Sequence, residues 1–414
     1  MKIALISVNL HTKTLNFASM LHSYVFQQFL KKNGIDSTVI DYYPSYFKGF
    51  DVAHPLFWYA EHPSKNRQKW KGRLSRYTKI FYEREKRAEL FDRFEETRYK
   101  KTEKTYTIEE LEKTDLGFDC YICVTDVIWR RFSTGFDRGL FLSCDSMKGK
   151  KKIAYAASRS GEYTKEDKKE FIELIKDFDV ISSREDSFCE YIENCSGLSI
   201  PHVVDPVFLM PKSFYVELAV RPEFVPDGKD FVVVYIAMEN NRELVEQAYR
   251  FAQKKGLFLV ELSEYPDNAK EFSDSVHKRV YDIGVEQWLW YLLNAKYVFT
   301  QSFHGCCLSI IFHKQLYVGK RGGEKIPSLL RMFDLYSRSI ADEDLDNADI
   351  ELEDIDFSPV DEIIKKESER SASFILGAIR NLENREHTPL IADTKELIRR
   401  IDEGESGQNV EEKS

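Results

Sequence analysis

Short apolar runs alternate with longer helical stretches along most of this chain, and that alternation restricts it to the α/β fold class. The first unit contains a strand-like run at 3–8, a helix-like stretch at 17–32 and a second strand-like run at 37–42. Segments of these lengths form a βαβ unit, in which a crossover helix joins two parallel strands. The same sheet would be extended by three further strand-like runs, at 119–124, 152–157 and 180–182.

A second α/β series follows a stretch that contains Pro222, Pro226 and Gly228. Proline and glycine interrupt regular structure, so 218–230 is predicted to be a linker. The strand-like runs after it lie at 231–236, 257–262, 297–299 and 315–318. We therefore predict two Rossmann-like α/β domains, at 1–217 and 231–340, that face each other across a cleft.

The chain ends in segments of different composition. Residues 342–362 contain 11 Asp or Glu and no Lys or Arg, which is typical of a solvated segment. We assign 341–404 to this acidic segment and to C-terminal helices, one of which is expected at 360–382 and would pack back on the first half. The polar residues 405–414 are expected to form a disordered tail.

Charge and cysteine content exclude several classes of protein. A formal net charge of −9 argues against a general nucleic-acid-binding protein. The seven cysteines lack disulfide-framework spacing, so a reducing, cytoplasmic location is expected. Cys120 and Cys123 point to opposite faces of a predicted strand, which favours core packing, and no metal site is predicted. The chain has no run of about 18 apolar residues, so no membrane span is expected.

Residues 65–104 form a predicted basic helical segment. They contain 15 Lys or Arg and 7 Asp or Glu, a net charge of +8. One interpretation is a solvated segment that packs on the first domain through an apolar stripe. The other is a surface for anionic lipid headgroups or for a diphosphate-linked acceptor, which would bring the protein to the inner face of a membrane.

The stretch at 297–308 reads YVFTQSFHGCCL and combines a strand, a tight turn and the opening of a helix. Because the first N–H groups of a helix have no partner within it, such a unit commonly binds anions. His304 is predicted to lie in the turn. There it either reaches a bound ligand or closes the turn by a hydrogen bond to the backbone.

Two further polar residues follow predicted strands. Arg184 is expected at the start of a helix, where its charge opposes the helix dipole, so it should meet an anion or pair with a carboxylate. Asp126 follows the strand at 119–124 and is either a functional carboxylate or a cap or turn residue. The chain has no G-x-G-x-x-G motif, so a standard dinucleotide site is disfavoured.

Several segments, taken in order, resemble motifs of the polysaccharide pyruvyl transferase family. These motifs lie at 39–42 (VIDY), 125–129 (TDVIW), 152–158 (KIAYAAS), 181–185 (ISSRE), 204–206 (VDP), 294–295 (NA) and 302–305 (SFHG). The resemblance implies a fold similar to that of two-domain glycosyltransferases of the B type. The first domain would then be the acceptor side and the second the donor side.

The resemblance also implies a reaction. The family transfers a pyruvyl group from phosphoenolpyruvate to two hydroxyls of a sugar in a cell-surface polysaccharide precursor, and this forms a ketal. Phosphoenolpyruvate is the donor substrate, so no cofactor is expected. The acceptor would be a sugar or a lipid-linked oligosaccharide, and no nucleic acid is expected among the partners.

Six residues receive roles from the resemblance and from their chemistry. His304 and Arg184 match family residues at the phosphoenolpyruvate site, and Lys325 stands where the family often has a basic residue. Two neighbours of His304 in its motif are expected to contact substrate. His304 would protonate the enol carbon, and a carboxylate would deprotonate the sugar hydroxyl. The two neighbours that would bind substrate are Ser302 and Gly305. The carboxylate would be that of Asp126.

The chain departs from the family pattern at a few positions. Gln301 stands where the family often has Asp, and 124–128 reads VTDVI where the family often has Gly-Ser-Asp-Gln-Val. These departures keep two alternatives open. One is a nucleotide-sugar glycosyltransferase of similar two-domain shape, and the other is a non-catalytic glycan-binding relative.

Overall fold

The computed structural model describes residues 1–131, 135–159, 161–227, 230–237, 241–263, 272, 275–340, 350 and 352–403. The expected tail at 405–414, Gly228 of the expected linker and most of the acidic run before 352 lie outside the described residues. The boundaries of the predicted linker and domains therefore stay predictions.

The first half of the chain forms a parallel sheet in the order β2-β1-β3-β4-β5. Its strands are β1 (Ile3–Ile6), β2 (Ser37–Val39), β3 (Cys120–Val124), β4 (Lys151–Ala157) and β5 (Val180–Ser183). Almost every residue of β1, β3 and β4 is buried, as expected for a parallel sheet covered on both faces. Cys120 and Cys123 are buried free thiols in β3, which confirms their prediction as core residues.

The second half forms another parallel sheet in the order β10-β9-β6-β7-β8. Its strands are β6 (Phe231–Ile236), β7 (Phe258–Ser263), β8 (His277–Arg279), β9 (Tyr297–Thr300) and β10 (Gln315–Val318). The edge strand β8 was not predicted, because its sequence HKR carries no apolar run. Its pairing to β7 aligns Glu261 with Arg279.

Helices connect these strands and cover both sheets. Within the described residues they are α1 (Phe17–Lys32), α2 (Pro55–Glu61), α3 (Arg67–Lys79), α4 (Phe81–Arg98), α5 (Ile108–Leu111), α6 (Lys165–Ile175), α7 (Asp186–Ser196), α8 (Lys212–Leu218), α9 (Arg242–Lys255), α10 (Val285–Asn294), α11 (Phe303–Ile311), α12 (Lys325–Met332), α13 (Phe357–Glu383) and α14 (Lys395–Glu403). The α/β class with two Rossmann-like units is thus confirmed. No helix among the described residues is both long and apolar enough to cross a bilayer.

Local sequence signals explain several helix ends. The Asn16 side chain accepts from the N–H of Ala18 and begins α1, and Gly34 follows the helix with φ 77°. Thr164 and Asp167 form a reciprocal capping box at α6. These contacts lie within a few residues of each other, so they can be read from sequence alone.

The two halves share one hydrophobic core. Phe17 of α1 stacks on Trp288 of α10, with ring centroids 5.3 Å apart. Helix α13 returns to the first half, where the Val204 N–H donates to Ser371 Oγ at 3.0 Å. These contacts hold the two sheets in a defined relation, which matters for any site between them.

Each sheet has a point where the direction of strand order reverses, and ligands of open α/β sheets bind outside the carboxyl ends of strands at such points. The reversal lies between β1 and β3 in the first sheet and between β6 and β9 in the second. Asp126 follows β3 closely, and His304 follows β9 closely. Both residues therefore occupy the edge where this fold places ligands.

Candidate functional site

Asp205 is the residue on which the site converges. Its Oδ2 accepts from Arg184 Nη1 at 2.6 Å and from Thr125 Oγ1 at 2.8 Å. His304 Nε2 lies 3.5 Å from the same oxygen. Arg184 follows β5 and His304 follows β9, so residues from both sheets meet at one buried carboxylate.

Asp126 lies beside this carboxylate, on a strained turn. Thr125 and Asp126 have φ values of 37° and 60°, which side-chain-bearing residues rarely adopt. The turn directs Asp126 Oδ1 to within 3.4 Å of Arg184 Nη2. The same oxygen accepts the Val127 N–H at 2.9 Å, so Asp126 is both a turn residue and a member of the charged cluster.

His22 also belongs to the cluster, and it was not among the site residues predicted from the sequence. It lies on α1 with no exposed surface, and neither ring nitrogen makes a hydrogen bond. Its Nε2 lies 3.6 Å from Asp126 Oδ2. The one indication of its role is that it is a polar residue on α1, a helix whose first three turns are buried.

His304 lies in the first turn of α11, so the prediction that it sits in the turn before the helix is wrong. The Ser302 side chain caps α11 by accepting the Gly305 N–H at 3.3 Å, and this cap starts the helix one residue before His304. The His304 ring meets the edge of Phe303, and Arg184 lies 4.2 Å from the centre of the Phe303 ring. The alternative of His304 bonding to backbone through Nε2 is not observed.

Ser302 and Gly305 contact protein in this structure. A Cβ atom at Gly305 would lie 2.6 Å from Thr300 Oγ1 and 2.9 Å from Tyr235, so only glycine fits there. Thr300 Oγ1 in turn accepts the Ser302 N–H at 3.0 Å. These contacts hold the start of α11 against β6 and β9. A role in binding substrate stays a prediction.

Lys325 begins α12 and faces the same cluster. Burial, followed by repulsion from Arg184, lowers the pKa of Lys325 to about 8, while Asp126 and Glu185 act in the opposite direction. The predicted catalytic and cationic residues therefore share one electrostatic environment. Arg321 adds further positive charge near Lys325.

The pKa directions follow from burial and from this set of charges. Burial by itself would raise the pKa of Asp205, but His304 and Arg184 outweigh it and hold that pKa well below its usual range. Burial would likewise raise the pKa of Asp126, but His22 and Arg184 outweigh burial and lower that pKa. Burial lowers the pKa of His304 despite the attraction of Asp205. Two carboxylates beside a neutral imidazole are thus the favoured state near neutral pH.

The side chains of the cluster differ in solvent exposure. The side chains of Arg184 and His304 are 2% and 7% exposed, whereas that of Asp126 is 18% exposed. Both Nη atoms of Arg184 already contact protein oxygens, and its Nε is buried without a hydrogen-bond partner. The cluster is therefore largely buried, and Asp126 is more exposed than Asp205.

No group of three or more His, Cys, Asp or Glu side chains in the described ranges is arranged to hold a metal ion. The cationic members Arg184 and Lys325 lie among the carboxylates instead. The two positive charges thus face the Asp126 and Asp205 carboxylates within one buried cluster.

The fold and the site together define a two-domain α/β protein with a charged site between two Rossmann-like sheets. The family model for polysaccharide pyruvyl transferase matches residues 19–318. The chain belongs to this family. A search among curated proteins finds no significant match.

Solved structures similar to this chain include UDP-GlcNAc 2-epimerases. The one from Methanocaldococcus jannaschii is 12% identical, with 92% of this chain and 100% of that chain covered and a TM-score of 0.49. The one from Rickettsia bellii is 10% identical, with 92% and 96% covered and a TM-score of 0.47. A ugt transferase from Siraitia grosvenorii in complex with UDP is 10% identical, with 97% and 99% covered and a TM-score of 0.37. Because these TM-scores are below 0.5, the fold class is assigned from the two parallel sheets of this chain.

Proposed function

We propose that the protein transfers a pyruvyl group from phosphoenolpyruvate to two hydroxyls of a sugar in a cell-surface polysaccharide precursor, in the cytoplasm. Family membership supports pyruvyl transfer in general. The observation that carries the finer proposal is the meeting of Arg184 and His304, from different sheets, at Asp205. A cationic group and an imidazole at one point are what a donor with a carboxylate and a phosphate requires.

The donor would enter beside Asp126 and lie against Lys325. A pKa of about 8 keeps the Lys325 ammonium mostly charged at neutral pH, so it can pair with the donor phosphate. The Nη atoms of Arg184 are occupied by Asp205 and Asp126, so Arg184 contributes mainly its buried positive charge. That charge would also stabilise the departing phosphate.

His304 would supply the proton that makes the donor electrophilic. Burial keeps the free imidazole largely neutral by lowering its pKa. A bound dianion would raise that pKa again, because negative charge nearby favours imidazolium. The proton would then pass to the methylene carbon of phosphoenolpyruvate, which becomes the methyl group, and the adjacent carbon becomes open to attack by a sugar hydroxyl.

The proposed reaction is balanced in bonds and protons. Two C–O bonds form between the central donor carbon and the sugar, and the C–O bond to phosphate breaks. The proton of one hydroxyl restores His304, and the proton of the other leaves with inorganic phosphate. Asp126 is a weak base because its pKa is low, so it would orient the attacking hydroxyl by accepting its hydrogen bond.

The test is a turnover assay with the full chain. The protein is incubated with phosphoenolpyruvate and a panel of free, nitrophenyl-linked and lipid-linked sugars. Phosphate release and an acceptor mass increase for a pyruvate ketal are measured together. Both signals are expected with at least one acceptor.

The same assay separates the alternatives. Binding and turnover of a nucleotide sugar, with no response to phosphoenolpyruvate, would assign the protein as a glycosyltransferase. Glycan binding without any turnover across the panel would assign it as a non-catalytic relative. Either result would overturn the proposal.

A further inference from the structure

The helices before β3 carry a surface that the proposed reaction does not use. Helix α3 contains six Lys or Arg and no Asp or Glu, in a chain of net charge −9. We use the name basic face for four exposed cations at and just before the start of α3, which are Lys65, Arg67, Lys69 and Lys71. No carboxylate in the described part of the chain lies at ion-pair distance from these four cations. Their charge is therefore available to a partner.

Large aromatic side chains are exposed beside this helix. Phe57 of α2 is 59% exposed and Tyr82 of α4 is 78% exposed. Phe81 links them, with ring centroids 6.1 Å from Phe57 and 5.5 Å from Tyr82. Exposed cations and exposed aromatic rings within one helical segment are typical of segments that lie in the membrane interface.

Two acids of this region are paired with a histidine. His54 lies between Asp51 and Glu85, at 3.0 Å and 3.4 Å from their carboxylate oxygens. Glu83 is exposed beside Tyr82, so the positive charge of this segment comes from α3, which contains no Asp or Glu. A bilayer with negative surface charge complements it.

The surface is held in place by its inner side. Trp70 Nε1 donates to the Tyr59 carbonyl at 2.7 Å, and the rings of Tyr59 and Tyr77 stack at 5.6 Å. These contacts direct Trp70 and Tyr77 of α3 toward α2, while the four cations of the basic face stay exposed. The structure thus shows packing of this segment on the domain, and its use as a surface for anionic lipid headgroups stays a prediction.

The segment adjoins the acceptor side of the cleft. Lys13 lies in the loop after β1, 5.1 Å from the Trp58 ring centre and 5.4 Å from that of Phe50. Burial, and then repulsion by Arg73 of α3, lower the pKa of Lys13. Helix α3 is thus close to the loop at the carboxyl edge of the first sheet.

We propose that α2, α3 and the start of α4 dock on a bilayer that contains anionic lipids. The basic face meets the lipid phosphates, and Phe57 and Tyr82 enter the interfacial region. This binding does not depend on the proposed reaction. It would place a lipid-linked sugar next to the Asp126 side of the site.

Vesicle sedimentation with the full chain tests this docking. Phosphatidylcholine vesicles are compared with vesicles in which about a third of the lipid is phosphatidylglycerol, at low and high salt. The wild type should sediment with the anionic vesicles at low salt only. Replacing the basic face with Gln (K65Q, R67Q, K69Q, K71Q) should weaken binding at least tenfold, since each cation contributes about fivefold.

Matched variants separate this surface from net charge. The variant K31Q, K32Q, K365Q, K366Q loses the same charge from exposed positions elsewhere and should bind like wild type. The variant F57S, Y82S should bind several-fold more weakly. Equal binding to neutral vesicles, or equal losses in both glutamine variants, would overturn the proposal. Binding to a soluble polyanion such as heparin without vesicle binding would overturn it too.

Discussion

The imidazole rings of His22 and His304 stack 5.6 Å apart, with 22° between their planes. Helix α1 of the first half supplies one ring, and α11 of the second half supplies the other. Each ring is within reach of a different carboxylate, His22 of Asp126 and His304 of Asp205. The stack joins the two halves of the site. His22 was not among the residues predicted from the sequence.

Replacing His22 with Phe should shift the pH dependence of turnover. His22, whose Nε2 lies 3.6 Å from Asp126 Oδ2, helps to hold the Asp126 pKa down against the effect of burial. Without it the Asp126 pKa rises, so the acid limb of the kcat/KM profile should move to higher pH. Turnover at neutral pH should fall about tenfold. His62→Phe, at an exposed ring stacked on Trp58, is the control. An unmoved acid limb in His22→Phe would contradict this coupling.

Replacing His304 with Gln should remove the proton donor and leave the fold intact. Turnover should fall on the order of a hundredfold or more, while donor binding and thermal midpoint change little. His313→Asn is a suitable control, because His313 follows α11 on the surface with φ 58°, which Asn tolerates. Wild-type turnover in His304→Gln would exclude His304 from the reaction.

Replacing Arg184 with Met should destabilise the protein as well as weaken donor binding. The buried Asp205 carboxylate would lose its 2.6 Å partner, at a cost of about 3–5 kcal/mol in urea unfolding. The double change Arg184→Met with Asp205→Leu should recover part of that loss. Arg331→Met removes an exposed ion pair to Asp186 and should cost less than about 1 kcal/mol. Equal costs for the two single variants would show that the buried pair is not structural.

The buried Glu261 should make the second sheet sensitive to acid. Burial would raise its pKa, but the hydrogen bond from His277 and the charge of Arg279 lower it from 4.5 to about 2. Stability from a depressed carboxyl pKa is present above the unfolded value and is lost as pH falls toward 2. That contribution is about 3 kcal/mol at neutral pH.

Glu261→Gln should therefore lower the free energy of unfolding at pH 7 and converge with wild type near pH 2. Denaturant unfolding across this pH range measures the difference. Glu386→Gln, at an exposed position, should leave the curve unchanged. A pH-independent loss in Glu261→Gln would indicate a packing effect instead.

Replacing Gly305 with Ala should destabilise the start of α11. The new Cβ would lie 2.6 Å from Thr300 Oγ1, and such overpacking costs about 1–3 kcal/mol. Gly72→Ala is the matched control, because Gly72 lies within α3 with open space around it. Alanine there should stabilise by about 0.5–1 kcal/mol. The thermal midpoints of the two variants should therefore shift in opposite directions. Shifts of the same sign would contradict this packing argument.

The sequence by itself determined the elements and their order. Helix α1 lies at the predicted residues 17–32, the Thr164 capping box is present, and the two strand series appear as two parallel sheets. Caps, glycine ends and apolar periodicity act between residues a few positions apart, so they can be read along the chain. The ordered motifs also indicated the family.

Only the tertiary structure decided how the site is assembled. Asp205 was a motif residue without a role, His22 was unnoticed, and β8 had no local signal. Each depends on partners more than a dozen residues away, which sheet order and the contact of the two halves bring together. The same holds for protonation, since the pKa values of Asp126, Asp205 and His304 follow from burial and from charges across the sheets. Long-range contact creates that environment, and no local pattern encodes it.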